Sequence, residues 1–247
     1  GGGASAPMGD YLPLLREAAD LFTRDSLTAL EARVKMPGAF GPAEGPRAEP
    51  SFEPLEATAG MSGEFLTRGG KFLRPFIALA AYDAVVADRA AAVDGATRDA
   101  VKTAAVAIEI FHKSSLVHDD IEDDDRMRYG RPTLHIERGV PSAINAGDYL
   151  LGLGYRMIVG LEGIDPTTQR DLVAILSEAH VRLARGQGAE LWWRDAGDKR
   201  LSPEASLEIY GLKTSPAFEA AIAMGIRLAG LQPESAAAVG RYALHLS

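Results

Sequence analysis

The sequence predicts an all-α fold, and three observations carry that prediction. Apolar residues recur at helical spacing over long stretches. No stretch shows convincing strand alternation, and there is no short-period repeat. Prolines stand directly after cap residues, in Asp165-Pro166 and Ser202-Pro203, where helix starts favour them. With 247 residues, 47% of them hydrophobic and 24% charged, the chain can bury a sizeable core. The expectation is a single domain over 10–247, built as a bundle of roughly ten helices.

Residues 1–9 read as a tag or a disordered tail. The first predicted helix covers 11–36, where Tyr11, Leu14, Leu15, Ala18, Leu21, Phe22 and Leu30 share a face, and Met36-Pro37-Gly38 stops it. Residues 37–56 hold Pro37, Pro42, Pro46, Pro50 and Pro54 and read as a Pro-rich connector. A short helix over 57–66 leads to Arg68-Gly69-Gly70-Lys71-Phe72-Leu73-Arg74-Pro75, and an Ala-rich helix runs from about 75 to 92. Asp94-Gly95 is a turn. In the long helix over 97–121, Val101, Ala104, Ala105, Ile108, Phe111, His112 and Ser115 lie on one side. A loop spans 123–133, and a helix follows over 141–160, whose Ala and Gly residues permit close approach of a neighbour. Helices over 167–194 and 204–230 come next, the second with a break at Thr214-Ser215-Pro216. Pro233 opens the last helix.

Composition excludes several function classes. A net charge of −8 argues against a general nucleic-acid binder. Without cysteine there are no disulfides, thiolate zinc sites or cysteine nucleophiles. No apolar run approaches the roughly 20 residues of a membrane helix. The N-terminus lacks the regions of a signal peptide, so a cytoplasmic protein is expected.

The chemistry concentrates between Asp119 and Asp125, where six of seven residues are carboxylates. Like charges this dense oppose folding. The run is either a solvated loop or a cation site. If the preceding helix continues into it, Asp119 and Asp123 are i and i+4 and share a face, with Asp120 beside them. Carboxylates with no thiolate at hand favour a hard cation, and Mg²⁺ is the natural candidate. His112 lies two turns back on the same face, as a core residue or as a ligand, and His118 reads as structural. Lys71 and Arg74, after two glycines and before a helix start, form either a solvated basic turn or a diphosphate site. Lys213-Thr214 and the pair Gln187 and Glu190 are weak signals when taken singly.

Together, in order from about residue 60 to 230, these segments resemble the polyprenyl synthetase family, the trans-isoprenyl diphosphate synthases, and most of all its geranylgeranyl diphosphate synthase-like members. The matching stretches are GGKFLRP, then His112 with the aspartate-rich Asp119-Asp120-Ile121-Glu122-Asp123, Gly130-Arg131-Pro132-Thr133, GQGAE and YGLKTSPAF. The resemblance implies an isoprenoid-synthase helical bundle around a central cavity, a homodimer, and Mg²⁺-dependent elongation of an allylic diphosphate by isopentenyl diphosphate. By the same likeness, Asp119, Asp120 and Asp123 hold the metal, and Asp119, Asp123 and Lys213 are catalytic. Arg128, Lys213 and Thr214 contact the allylic diphosphate. Lys71, Arg74 and His112 bind isopentenyl diphosphate, and Gln187 joins the substrate-binding set.

The sequence also departs from the family pattern. Tyr129 occupies a position where the family pattern has a second arginine, and Glu190 replaces an aspartate. A second aspartate-rich motif is expected just after a helix like RYALHLS, where the sequence stops, so the C-terminal part of the bundle is expected to be missing. If the product runs down the helix away from Asp119, each turn of about 5.4 Å matches about one isoprene unit. Ser114 and Ser115 are small one turn back, and Phe111 two turns back is the expected floor, giving a C20 or somewhat longer product, geranylgeranyl diphosphate first. The alternatives are a class I terpene cyclase and a non-catalytic regulatory subunit of a prenyl diphosphate synthase. The basic GGKFLRP site speaks against the cyclase, which has no isopentenyl diphosphate to hold.

Overall fold

A computed structural model describes residues 11–41, 54–88, 95–198 and 200–231. Its elements are α1 (Leu12–Asp20), α2 (Arg24–Arg33), α3 (Ala57–Thr67), α4 (Leu73–Asp88), α5 (Gly95–Glu122), β1 (Met127–Arg128), β2 (Arg131–Pro132), α6 (Leu134–Arg138), α7 (Val140–Val159), α8 (Pro166–Asp195) and α9 (Pro203–Leu228). The all-α expectation holds.

Local chemistry sets the boundaries and corrects several expectations. The predicted helix over 11–36 is two helices. Thr23 takes an extended conformation and caps α2 by accepting from the Ser26 N–H at 3.2 Å, so the chain turns before it. The helix placed at Pro75 starts at Leu73; Gly95 is helical, and Asp94 of the expected turn lies outside the described residues. The 123–133 loop contains a small antiparallel hairpin, Met127 opposite Pro132 and Arg128 opposite Arg131, and α6 follows it unforeseen. Asp165 and Ser202 cap α8 and α9, accepting from Thr168 N–H at 2.9 Å and Ala205 N–H at 3.1 Å, with a proline next in each case. The break expected at Thr214-Ser215-Pro216 is absent, because α9 continues through Pro216. The 1–9 tail, most of the 37–56 connector and the helix expected from Pro233 lie outside the described residues.

Five helices close a ring. α4 meets α5 and α9, α5 meets α7, α7 meets α8, and α8 meets α9. The core between them includes Leu79, Ile110, Leu150, Met157, Leu172 and Met224, all fully or almost fully buried. Small residues set the seams. A side chain at Gly147 of α7 would collide with the His118 ring of α5. One at Gly154 would come within 2.7 Å of the Phe111 ring. At Gly186 of α8 it would lie 2.7 Å from Leu212 Cβ of α9. Tight seams around α5 leave a hollow on one side of it.

Candidate active site

That hollow is a cavity of about 310 Å³ lined from all five helices of the ring. Ile108, Phe111, Leu151, Leu176, Ala179 and Leu183 make its walls apolar, while Arg74, His112, Asp119, Glu122, Gln187 and Lys213 bring charge and polarity to it.

The acidic side follows from how α5 ends. The Asp123 N–H donates to the Asp119 carbonyl at 2.8 Å, so the helical spacing persists one residue past Glu122 and the i, i+4 relation holds. Asp119 lines the cavity. Its carboxyl is pushed up to about 6, first by burial and then by the crowding of Glu122, Asp123 and Asp120, with Lys213 acting against them. Asp123 is exposed and accepts from Arg194 Nη1 at 3.4 Å. Asp120 is buried and turned to Arg128, whose Nε donates to it at 2.9 Å; its other oxygen is buried without a partner. That hydrogen bond holds the Arg128 guanidinium above its usual range. Asp120 thus faces the hairpin arginine. Gln187 donates to Glu122 at 2.8 Å, and Lys213 to Glu190, so α8 is tied to the acidic end of α5 and α9 to α8.

Among the described residues no three acidic or histidine side chains converge into a preformed metal cluster. The donor chemistry nonetheless suits Mg²⁺. Carboxylate oxygens are the donors at the acidic end, few in number, and Asp119 is pushed up first by burial and then by acidic neighbours whose charge a divalent cation would neutralise. A Mg²⁺ ion bound by few carboxylates leaves its remaining positions to water and phosphate oxygens.

The basic side faces it. Arg74 lines the cavity, stacks 4.7 Å from the Phe218 ring centroid, and keeps its Nε buried without a partner. Burial lowers its guanidinium from the usual range, against the pull of Glu109 and Tyr129. His112 is held well below its ordinary value, mainly by burial and then by Arg74, Lys113 and Arg128, so the ring is neutral at pH 7. Three cations thus crowd one imidazole, which makes the spot attractive to an anion. Lys71 is exposed on the turn before α4. Thr214 is partly buried, and its hydroxyl donates to the Tyr210 carbonyl of its own helix at 3.0 Å.

The expected product-length residues sit together. Ser114, Ser115 and Phe111 all line the cavity. Phe111 packs edge-on against Tyr155, centroids 4.7 Å apart, and lies 6.2 Å from the His180 ring. Sequence reasoning named neither Tyr155 nor His180, because their meeting depends on the packing of α7 and α8. It also passed over Glu109 and Lys113. Burial pushes the Glu109 carboxyl up to about 7 and the Lys113 ammonium down to about 8. A visible signal existed there: an i, i+4 Glu-Lys pair inside an apolar helix stretch. His118, expected to be structural, lines the cavity and lies 3.5 Å from Asp148.

Comparison with known proteins shows the family. A family model described as polyprenyl synthetase matches residues 56–247. The chain is 33% identical over 181 residues to a short chain isoprenyl diphosphate synthase of Methanothermobacter thermautotrophicus, covering 73% of this chain and 52% of that protein. It is 32% identical over 170 residues to a geranylgeranyl diphosphate synthase of Sulfolobus acidocaldarius, covering 68% and 48%. A geranylfarnesyl diphosphate synthase of Aeropyrum pernix is 34% identical over 178 residues, 71% of this chain and 53% of that one. The crystal structure of a Pyrococcus horikoshii geranylgeranyl pyrophosphate synthetase superposes with a TM-score of 0.74 at 25% identity, over 96% of this chain and 63% of that one. The chain spans about half the length of the curated relatives it matches. Among the described residues no helix is long and apolar enough to cross a membrane. The ordered motifs, the helical ring and these likenesses agree: the chain belongs to the polyprenyl synthetase family.

Proposed function

We propose that the protein is a Mg²⁺-dependent prenyltransferase, which condenses isopentenyl diphosphate with an allylic diphosphate to give a trans-polyprenyl diphosphate of C20 or somewhat longer. The observation that carries this reading is a single cavity that joins a carboxylate end, a neighbouring cationic cluster and an apolar interior. The names of the geranylgeranyl and geranylfarnesyl diphosphate synthase relatives support the product range.

Asp119 and Asp123 would hold Mg²⁺, which when bound supplies charge neutralisation for a departing diphosphate. Lys213 and Arg128 offer donors to the allylic diphosphate as its C–O bond breaks. Lys71, Arg74 and neutral His112 bind and orient isopentenyl diphosphate, whose alkene forms the new C–C bond. Loss of a proton to the released diphosphate completes the step without a protein nucleophile. Ile108, Leu151 and Leu176 exclude water from the cationic intermediate. Phe111 bounds the growing chain. A homodimer in the cytoplasm completes the reading.

Full-length protein incubated with Mg²⁺, isopentenyl diphosphate and geranyl or farnesyl diphosphate should yield longer diphosphates, identified by mass. A hydrocarbon from the allylic substrate alone would make it a cyclase, and no turnover would make it a non-catalytic subunit.

A further inference from the structure

The mechanism above gives no task to a lysine buried in the middle of α5. Lys113 of α5 is fully buried and stands outside the cavity lining. Its ammonium donates to the Gly69 carbonyl and lies 4.1 Å from the centroid of the Tyr129 ring. The rings of Phe65 and Phe72 stand at 5.6 and 5.8 Å. Glu109, one turn earlier and also buried, favours the charged form through space. An ammonium removed from water is costly unless its surroundings compensate it, and here one carbonyl and three aromatic faces do so.

Two of those rings stand on strained backbone. Phe72 has φ of +48° and Tyr129 φ of +54°, the left-handed region that bulky residues rarely adopt. Such conformations persist only where surrounding contacts over-determine them. Both strained residues belong to substrate-binding turns. Phe72 lies between Lys71 and Arg74, and Tyr129 follows Arg128. Lys113 contacts both turns at once.

We propose that Lys113 is a positioning residue of the isopentenyl diphosphate pocket: its ammonium, lodged against the Tyr129 ring, fastens the Gly69–Phe72 turn to α5, which sets the spacing of Lys71 and Arg74, while Arg128 is held separately by Asp120. The proposal rests on the prenyltransferase reading. It is tested with full-length Lys113→Met, Tyr129→Leu and the double variant, by steady-state kinetics in each substrate separately. Each single change should raise KM for isopentenyl diphosphate about tenfold or more, while kcat and the allylic KM stay within about threefold. The double variant should be little worse than the poorer single one, because both remove the same contact. The inference is overturned if the isopentenyl diphosphate KM stays at the wild-type value, or if kcat and both KM values move together as general loss of structure would move them. If Lys113→Met does not fold, Tyr129→Leu decides by the same criteria. A wild type that elongates nothing overturns the prenyltransferase reading, and this inference with it; normal elongation with an unmoved KM in the variants overturns this inference alone.

Discussion

Position by position, the cavity separates side chains that face substrate space from those that hold others in place. Phe111 belongs to the first group, since it lines the cavity and rests edge-on against Tyr155. Phe111→Ala should therefore lengthen the product by one or more isoprene units, and Ser115→Phe should shorten it; mass analysis of products from a fixed primer checks both. Glu109 belongs to the second group. Its carboxyl is raised from 4.5 to about 7, mainly by burial, so the folded chain binds this proton more tightly than the unfolded chain does. The stability it contributes is complete below about pH 4.5 and disappears as pH rises through about 7. Urea unfolding at pH 5 and pH 7 should show Glu109→Gln losing less stability across that interval than the wild type, by on the order of 1–3 kcal/mol. At this scale, sequence was informative where a residue type is rare in its setting, as with the aspartate run or Lys71 and Arg74 behind two glycines. It was silent where a role depends on orientation. Asp120 and Asp119 are adjacent and identical in type, yet one faces Arg128 and the other the cavity.

Elements were legible where local rules fix them. Asp165-Pro166 and Ser202-Pro203 announced two helix starts and their caps formed as expected. The missed boundaries were decided by tertiary packing or by a single cap. Thr23 divides one apolar stripe into two helices, and α9 runs through Pro216, packed against α8 at Leu212 and against α4 at Gly225. The seam between α8 and α9 has a mechanistic consequence. Gly186 lets Leu212 close in, and the neighbouring residues bring Glu190 to Lys213 and Gln187 to Glu122. Gly186→Val should force the pair apart, lowering stability by about 1–3 kcal/mol in chemical denaturation, with a larger proportional loss of turnover as Lys213 is displaced.

For the molecule as a whole, the all-α class was readable from patterning alone, and the acidic and basic sides from the ordered motifs and the resemblance they carry. The enclosure of an apolar cavity between them was not, because it arises only when α4, α5, α7, α8 and α9 close their ring. In the proposed function that ring works only when charge is neutralised at its mouth. Chelation of Mg²⁺ should abolish elongation, and Mg²⁺ with inorganic diphosphate should raise the melting temperature of the wild type more than that of Asp119→Ala, as linked binding requires.

The notch at Gly154, where the Phe111 ring occupies the space of a missing side chain, makes the two positions a lock and its keyhole. Their substitutions are therefore epistatic and ordered. Gly154→Ala alone drives a methyl group into the ring and should destabilise the fold, whereas after Phe111→Ala the same change fills a void and should be tolerated; melting curves of the two singles and the double would reveal the asymmetry. Any lineage or engineer moving this cavity toward longer products must shrink position 111 before position 154 is free to grow.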